Sequence, residues 1–328
     1  MKKVLLLILT VISAIVSQAQ INEKDAVVNV VAYFHKGDTL VYNHTTQKVK
    51  YEKNDTLFDA YLGSEFQLVV LDETDKGYRI EYTPLSYFYA PDSLLTEKGK
   101  LSTAMVKAAE KKLGFQKAIF VTNEFGTVQR IENYKELSKK INNTADAVIK
   151  EMYAQMPILE KIISKNTMKQ QYLSNAKTQE DILATYDEMG TLFGIHGLAP
   201  KLGDTTTVDG NTKTYVYSGK DQPDEYGTEG DYVVYVQEDI NFTAEQVKEF
   251  VGQQINLFDG ALGKEISEAW QKGSSAIPAM SVTSKNVIRY WNNGWPKEAT
   301  TTKSVKLENE KEPRPIEIRS FEWTRRVF

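Results

Sequence analysis

The sequence contains three histidines, His35, His44 and His196. A metal site or a nucleophilic triad would draw on them first, because imidazole is the commonest metal ligand and general base in proteins. His35 and His44 flank one predicted strand, nine residues apart, and an odd separation along a strand places two side chains on opposite faces. We therefore expect ordinary surface or core histidines, and no metal site.

The remaining residues contain no pattern typical of a nucleophilic enzyme or of a cofactor-binding site. The chain has no cysteine, which excludes thiol nucleophiles, cysteine-ligated zinc and iron–sulfur clusters. Ser274 and Ser275 have no nearby base, and the glycine-rich segment 189–197 lacks the lysine and spacing of a phosphate loop. No catalytic residue and no cofactor are predicted. A hydrolase that uses two carboxylates stays open, because the 44 acidic residues offer many pairs.

The densest acidic segment, 221–231, reads DQPDEYGTEGD. Calcium takes about six to eight oxygen ligands, and this segment offers several carboxylates. The spacing fits no EF-hand pattern, so a solvated hairpin loop is the favoured interpretation and a weak calcium site the alternative.

Aromatic side chains cluster in the segment 290–296, YWNNGWP, between two predicted strands. Exposed Trp291 and Trp295 rings would stack on a sugar or hold an apolar ligand. Alternatively, the segment is a turn whose rings cover the end of a sheet.

The elements that position these residues follow the order strands, helices, strands. Residues 65–71 and 78–83 alternate apolar and polar side chains around a polar turn, which predicts a hairpin with one buried face. Apolar residues at steps of three and four predict a helix over 134–163, which Pro157 should kink or divide. In the last strand, the apolar phase slips between Ile318 and Phe321, which predicts a bulge or bend near Ser320.

This order predicts an α+β fold: a curved antiparallel sheet built from both ends of the chain, with a central group of helices packed on one face. Residues 20–328 are expected to form a single domain. It is strand-rich over 27–131, helical over 134–198, and strand-rich again over 213–328, with a helix near 244–258.

Residues 1–19, MKKVLLLILTVISAIVSQA, have the pattern of an export signal. Lys2 and Lys3 precede thirteen mostly apolar residues, and Ser17 and Ala19 supply the small residues read at cleavage. The apolar run is too short to span a bilayer. We expect an exported periplasmic or secreted protein that does not span the membrane after cleavage. The net charge of −4 argues against nucleic acid as a partner.

Two resemblances follow from particular segments. The stretches KGDTLVYNHTTQ, VTNEFGTVQRIENYKEL and NNGWPKEATTTKSV resemble uncharacterised exported envelope proteins of Gram-negative bacteria. The element order resembles the LolA/LppX-like lipid carriers, in which a curved antiparallel sheet is half closed over helices. That resemblance implies an apolar cleft between sheet and helices.

The first functional hypothesis is a non-catalytic binding or carrier module for a lipid or another apolar or amphiphilic ligand. The alternatives are a surface interaction protein that binds a glycan or an envelope protein, and the carboxylate-based hydrolase. Large apolar side chains would line the cleft, although the same residues would equally form an ordinary core. The candidate ligand-binding residues are Phe66, Leu68, Val70, Ile80, Tyr82, Met105, Met152, Met156, Trp291 and Trp295.

Overall fold

The computed structural model describes residues 21–22, 26–52, 55–174, 176–201, 204–208, 211–220, 231–257, 259–273 and 277–324. The predicted export signal at 1–19, the acidic segment up to residue 230, and Ser274 and Ser275 lie outside these ranges. Two short strands, β1 (Ile21–Asn22) and β2 (Val27–Val28), pair with each other.

One antiparallel sheet of eleven strands organises the described residues. Its strands in chain order are β3 (Thr39–Glu52), β4 (Asp55–Thr74), β5 (Gly77–Tyr89), β6 (Ala118–Thr122), β7 (Val128–Ile131), β8 (Asp204–Val208), β9 (Asn211–Lys220), β10 (Tyr232–Phe242), β11 (Met280–Tyr290), β12 (Pro296–Leu307) and β13 (Arg314–Thr324). The spatial order is β7-β6-β5-β4-β3-β13-β12-β11-β10-β9-β8. Strands β3 and β13 therefore join the two strand-rich parts of the chain.

Helices interrupt the strands in three places, between β5 and β6, between β7 and β8, and between β10 and β11. They are α1 (Glu97–Leu113), α2 (Tyr134–Gln155), α3 (Leu159–Ile162), α4 (Lys165–Ser174), α5 (Gln179–Leu183), α6 (Asp187–Phe193), α7 (Ala244–Ile255) and α8 (Ala261–Gly273). The predicted break at Pro157 is confirmed, because α2 ends at Gln155 and α3 begins at Leu159. Within the described ranges, none of these helices combines the length and the apolar character needed to cross a membrane.

The α+β prediction is confirmed: the sheet is antiparallel, curved and open, and both strand-rich parts of the chain contribute to it. One face of the sheet is buried against the central helices. Leu137 of α2, Ile182 of α5 and Leu192 of α6 pack there with the inward side chains of the strands. The strands meet these helices through Leu40, Tyr42, Phe66, Leu68, Val70, Ile80, Tyr82, Phe120, Val234, Ile288, Ala299 and Phe321.

On the same inner face of the sheet, side chains that pair across neighbouring strands form rows. One row is mostly apolar, and the two rows next to it are mostly polar. The first row is buried and mostly apolar, and consists of His44, Phe321, Ala299, Ile288 and Val234. The next two rows, here called the polar rungs, are Thr46, Arg319, Thr301, Asn286 and Val236, then Lys48, Glu317, Lys303, Ser284 and Glu238.

The predicted bulge near Ser320 is wrong in position. Ser320 pairs regularly with Thr300 and Thr45, and the register of β13 shifts instead between Pro315 and Glu317. The apparent slip in apolar phase arises because Glu317 and Arg319 point inward, which leaves Ile318 on the outer face with Ile316 exposed beside it.

The segment from Val28 to Phe34 is extended and packs in the core against three loops. Its alternate side chains are buried, and its backbone bonds to three distant loops. The amide of Ala32 donates to the carbonyl of Phe125, and that of Tyr33 donates to the carbonyl of Asn293, both at 2.9 Å. The segment therefore locks the loop at 291–295 against the rest of the core.

Gly294 allows this close approach. Its φ is +82°, and a Cβ there would lie 2.2 Å from the carbonyl oxygen of Val31. Gly37 has a similar φ of +94° but open space around it. We expect Gly37→Ala to lower the free energy of unfolding by about 1 kcal/mol through the left-handed backbone alone. Gly294→Ala should lower the free energy of unfolding by about 2 kcal/mol, because the backbone at Val31 must also move to make room for the Cβ.

Urea denaturation of both variants beside the unchanged protein measures the difference. Equal losses at the two glycines would contradict the close packing of the 28–34 segment against this loop.

Candidate functional site

A cavity of about 250 Å³ lies between strand β5 and helices α1, α2 and α5. We call it the tyrosine cavity, after Tyr82, Tyr87 and Tyr186, which all line it. The apolar part of its wall consists of Pro84, Val106, Ala109, Leu113, Leu137, Ile141 and Ile182.

Two carboxyl groups complete the wall of the tyrosine cavity. Glu188, in the first turn of α6, accepts a hydrogen bond from the hydroxyl of Tyr82 at 3.2 Å. Glu110, in the last turn of α1, accepts one from the hydroxyl of Tyr89 at 2.6 Å. Both acids influence Tyr87, since burial and then the charges of Glu188 and Glu110 raise the pKa of its hydroxyl to about 12. The wall of the cavity therefore contains two carboxyls, each of which accepts a hydrogen bond from a tyrosine hydroxyl.

Burial sets the protonation of Glu188. The pKa of this carboxyl is raised to about 7, mainly by loss of solvent and to a smaller extent by the charge of Asp187. The hydrogen bond from Tyr82 and the charge of Arg319 act in the opposite direction. Glu188 is thus largely uncharged in mildly acidic solution and largely ionised in mildly alkaline solution.

His44 stands behind Glu188, with its Nδ1 3.9 Å from the Oε1 of that carboxyl. Burial, helped by the charge of Arg319, lowers the pKa of His44 to about 4, so the imidazole is neutral near pH 7. Its ring stacks on Phe321 and bonds to the hydroxyls of Thr46 and Ser64. A neutral, fully partnered histidine does not compensate a negative charge on Glu188.

A second, polar cleft of about 530 Å³ opens between α6 and the polar rungs. Arg319 links its two sides: Nη1 lies 2.7 Å from Asp187 of α6, and Nη2 lies 2.8 Å from Glu317. Lys303 also contacts Glu317, at 3.3 Å. The buried hydroxyl of Thr301 has no hydrogen-bond partner among the described residues.

The candidate ligand-binding residues fall into four groups. Tyr82 lines the tyrosine cavity. The other sheet residues are at most 1% exposed in the main core: Phe66, Leu68, Val70 and Ile80. The three methionines share a separate cluster between α1, α2 and α3: Met105, Met152 and Met156. Trp295 is buried and stacked on Phe34, and Trp291 is half-buried with its ring edge-to-face against Trp323.

The three histidines lie apart. His35 is exposed beside Glu73, while His44 and His196 are buried. Burial lowers the pKa of His196 to about 4, although its Nε2 lies 2.9 Å from the carbonyl oxygen of Gly294.

Sequence reasoning missed Glu188, Glu110, Tyr87 and Tyr186. Glu188 sits in the first turn of a helix, where an acid is common and draws no attention. The useful signal was Pro84, since a register shift in β4 opposite it, between Glu65 and Phe66, interrupts the ladder beside the cavity.

No family model and no curated protein sequence matches this chain. Among solved structures, a chain described as "Lipid-protein interactions in lipovitellin" is similar with a TM-score of 0.35 and 12% identity. The match covers 89% of this chain and 25% of the lipovitellin chain, so this chain spans about a quarter of that length. A TM-score this low shows neither a shared fold nor a shared ligand. The resemblances to Gram-negative envelope proteins and to LolA/LppX-like carriers stay predictions.

Proposed function

We propose that this protein is a binding or carrier module that takes the apolar part of a small or single-chain amphiphile into the tyrosine cavity. The observation that carries the proposal is the cavity itself, whose wall combines apolar side chains from a strand and three helices with a few polar groups. Ligand sites generally combine an apolar wall with a small number of placed polar groups.

The size of the cavity supports a small occupant. Protein interiors are close-packed and contain few voids larger than a water molecule. At about 250 Å³, the tyrosine cavity falls just below the range of about 300–1,000 Å³ that is typical of drug-sized ligands. One alkyl chain or one small ring system matches this volume better than a lipid with two long chains.

We further propose that the protein acts outside the cytoplasm, in the periplasm or after secretion. The pattern of residues 1–19 supports this location. Edman sequencing or mass spectrometry of the protein from its native host would find a new terminus at Gln20. A native protein that retains Met1 would contradict export by this signal.

Straight-chain alcohols of increasing length test the binding function by isothermal titration calorimetry. We expect the affinity to rise about three- to fourfold for each added methylene, as for burial of about 0.8 kcal/mol, until the cavity is full. Ala109→Leu adds three carbon atoms to the wall and should raise the Kd about tenfold.

Ala104→Leu is the matched control, because Ala104 lies on the same helix and is not among the cavity-lining residues. It should leave the Kd unchanged. Absence of alcohol binding, or equal weakening by both substitutions, would refute the proposed function.

A further inference from the structure

We infer that the ligand of the tyrosine cavity carries a positively charged nitrogen, as in an alkylamine or a quaternary ammonium amphiphile. This inference rests on the proposed binding function and names the chemical class of its ligand. The first support is the charge of the wall. Among the described residues that line the cavity, the charged ones are Glu110 and Glu188, and the lining includes no lysine, arginine or histidine.

Within the described ranges, neither carboxyl forms an ion pair with a charged basic side chain. The nearest candidate for Glu188 is His44, which is neutral near pH 7. Arg319 is already engaged by the carboxylates of Asp187 and Glu317. Glu110 bonds to the hydroxyl of Tyr89, and within the described ranges no cation pairs with it. An ionised carboxylate in an apolar wall is costly unless a cation neutralises it or it takes up a proton, so a cationic ligand would stabilise the ionised form of these groups.

The aromatic rings supply the second support. A cation is attracted to the face of a tyrosine ring, and this attraction grows when water is excluded. Tyr82, Tyr87 and Tyr186 all line the cavity. The same interface already contains one such contact, since the ammonium of Lys107 on α1 lies 4.9 Å from the centre of the Tyr89 ring on β5.

Proton release would accompany the binding of such a cation. The groups that face Glu188 are Tyr82 and Tyr87 from β5, His44 from β3, Arg319 from β13, and its neighbours Tyr186 and Asp187. In the free protein, the pKa of Glu188 is about 7, and a bound cation favours the ionised carboxylate. The affinity for a cation should therefore rise with pH below about pH 7, by up to tenfold per pH unit, and then level off.

Three probes with the same alkyl chain test the inference by calorimetry: octyltrimethylammonium, octanol and octanoate. The quaternary cation does not titrate, so any pH dependence belongs to the protein. At about pH 8 we expect the cation to bind about tenfold more tightly than the alcohol, and octanoate to bind most weakly. Glu188→Gln should remove most of this preference and the pH dependence while keeping the affinity for octanol.

Glu136→Gln, an exposed position on α2, is the control for general electrostatic attraction and should retain the preference. Circular dichroism establishes that each variant is folded, and Glu110→Gln provides a second variant that should reduce the preference in part. Octanol that binds as well as the cation would overturn this inference and leave the binding function standing. Failure of all three probes to bind would refute the binding function and this inference together.

Discussion

Trp295→Ala should lower the free energy of unfolding by about 3–5 kcal/mol, the range measured when a buried aromatic ring is deleted from a core. Trp295 is 2% exposed. Its ring stacks on Phe34 with centroids 3.9 Å apart, and meets Phe193 edge-to-face at 5.8 Å. Its Nε1 donates to Asp38 at 3.2 Å. Truncation would leave a large hole where the 28–34 segment, helix α6 and the 291–295 loop converge. It would also remove one of the two hydrogen bonds that Asp38 Oδ2 accepts, the other coming from the amide of His35.

Urea denaturation monitored by circular dichroism measures this loss. Trp270→Ala is the matched control, since the ring of Trp270 on α8 is partly exposed, and we expect it to cost less than half as much. Trp295→Phe should fall between the two. If Trp295→Ala proved as stable as the Trp270 variant, the ring would be available at the surface, as stacking on a glycan requires.

Glu317→Gln should lower the free energy of unfolding by about 3 kcal/mol at neutral pH. Glu317 is buried, yet its carboxylate contacts Arg319 at 2.8 Å, Lys303 at 3.3 Å and Lys48 at 3.8 Å. Removing one member of a buried ion pair typically costs about 3–5 kcal/mol, because the partner charge is left uncompensated. The lower end applies here, since side-chain exposures of 39% for Lys303 and 53% for Lys48 let water screen both lysines.

The loss should depend on pH in a defined direction. Burial raises the pKa of Glu317, but the charges of Arg319, Lys303 and Lys48 outweigh it, so the pKa is lowered from 4.5. A lowered carboxyl pKa stabilises the fold above the unfolded value, and that stabilisation disappears as pH falls through the folded value. The gap between the unchanged protein and Glu317→Gln should therefore narrow below about pH 4.5.

Glu322→Gln on the same strand is the control, because Glu322 is exposed. It should change stability by less than about 0.5 kcal/mol at any pH. A gap for Glu317→Gln that stayed constant with pH would show that shape, and not charge, explains the loss.

Local signals in the sequence predicted much of the fold. The alternation over 65–71 and 78–83 predicted strands β4 and β5. Pro157 divided the long helical stretch as expected. These features depend on neighbours within a few residues, so a pattern read along the chain captures them.

The candidate site depended on contacts that no local pattern contains. Phe66, Leu68, Val70 and Ile80 alternate most regularly, and that regularity places them so deeply in the core that no ligand is needed to cover them. In the polar rungs, side chains that point inward are polar, against the usual rule that inward positions are apolar. Because the bulge in β13 was predicted from that rule, its predicted position was wrong. Glu188 can be recognised as a site residue only from the folded structure, because helix α6 brings it to Tyr82, which lies about 100 residues earlier in the chain.

The β3–β13 pairing has a consequence for the order of folding. Residues 41–48 meet residues 317–324 there, so the seam joins segments separated by more than 260 residues. At about 5–20 residues per second, a ribosome completes β13 roughly 15–50 s after β3. During that interval the edge of β3 carries unpaired backbone groups, the kind of surface that recruits other strands. The sheet of a nascent chain therefore stays incomplete until β13 has been synthesised, a delay that a chaperone could use to keep the chain unfolded.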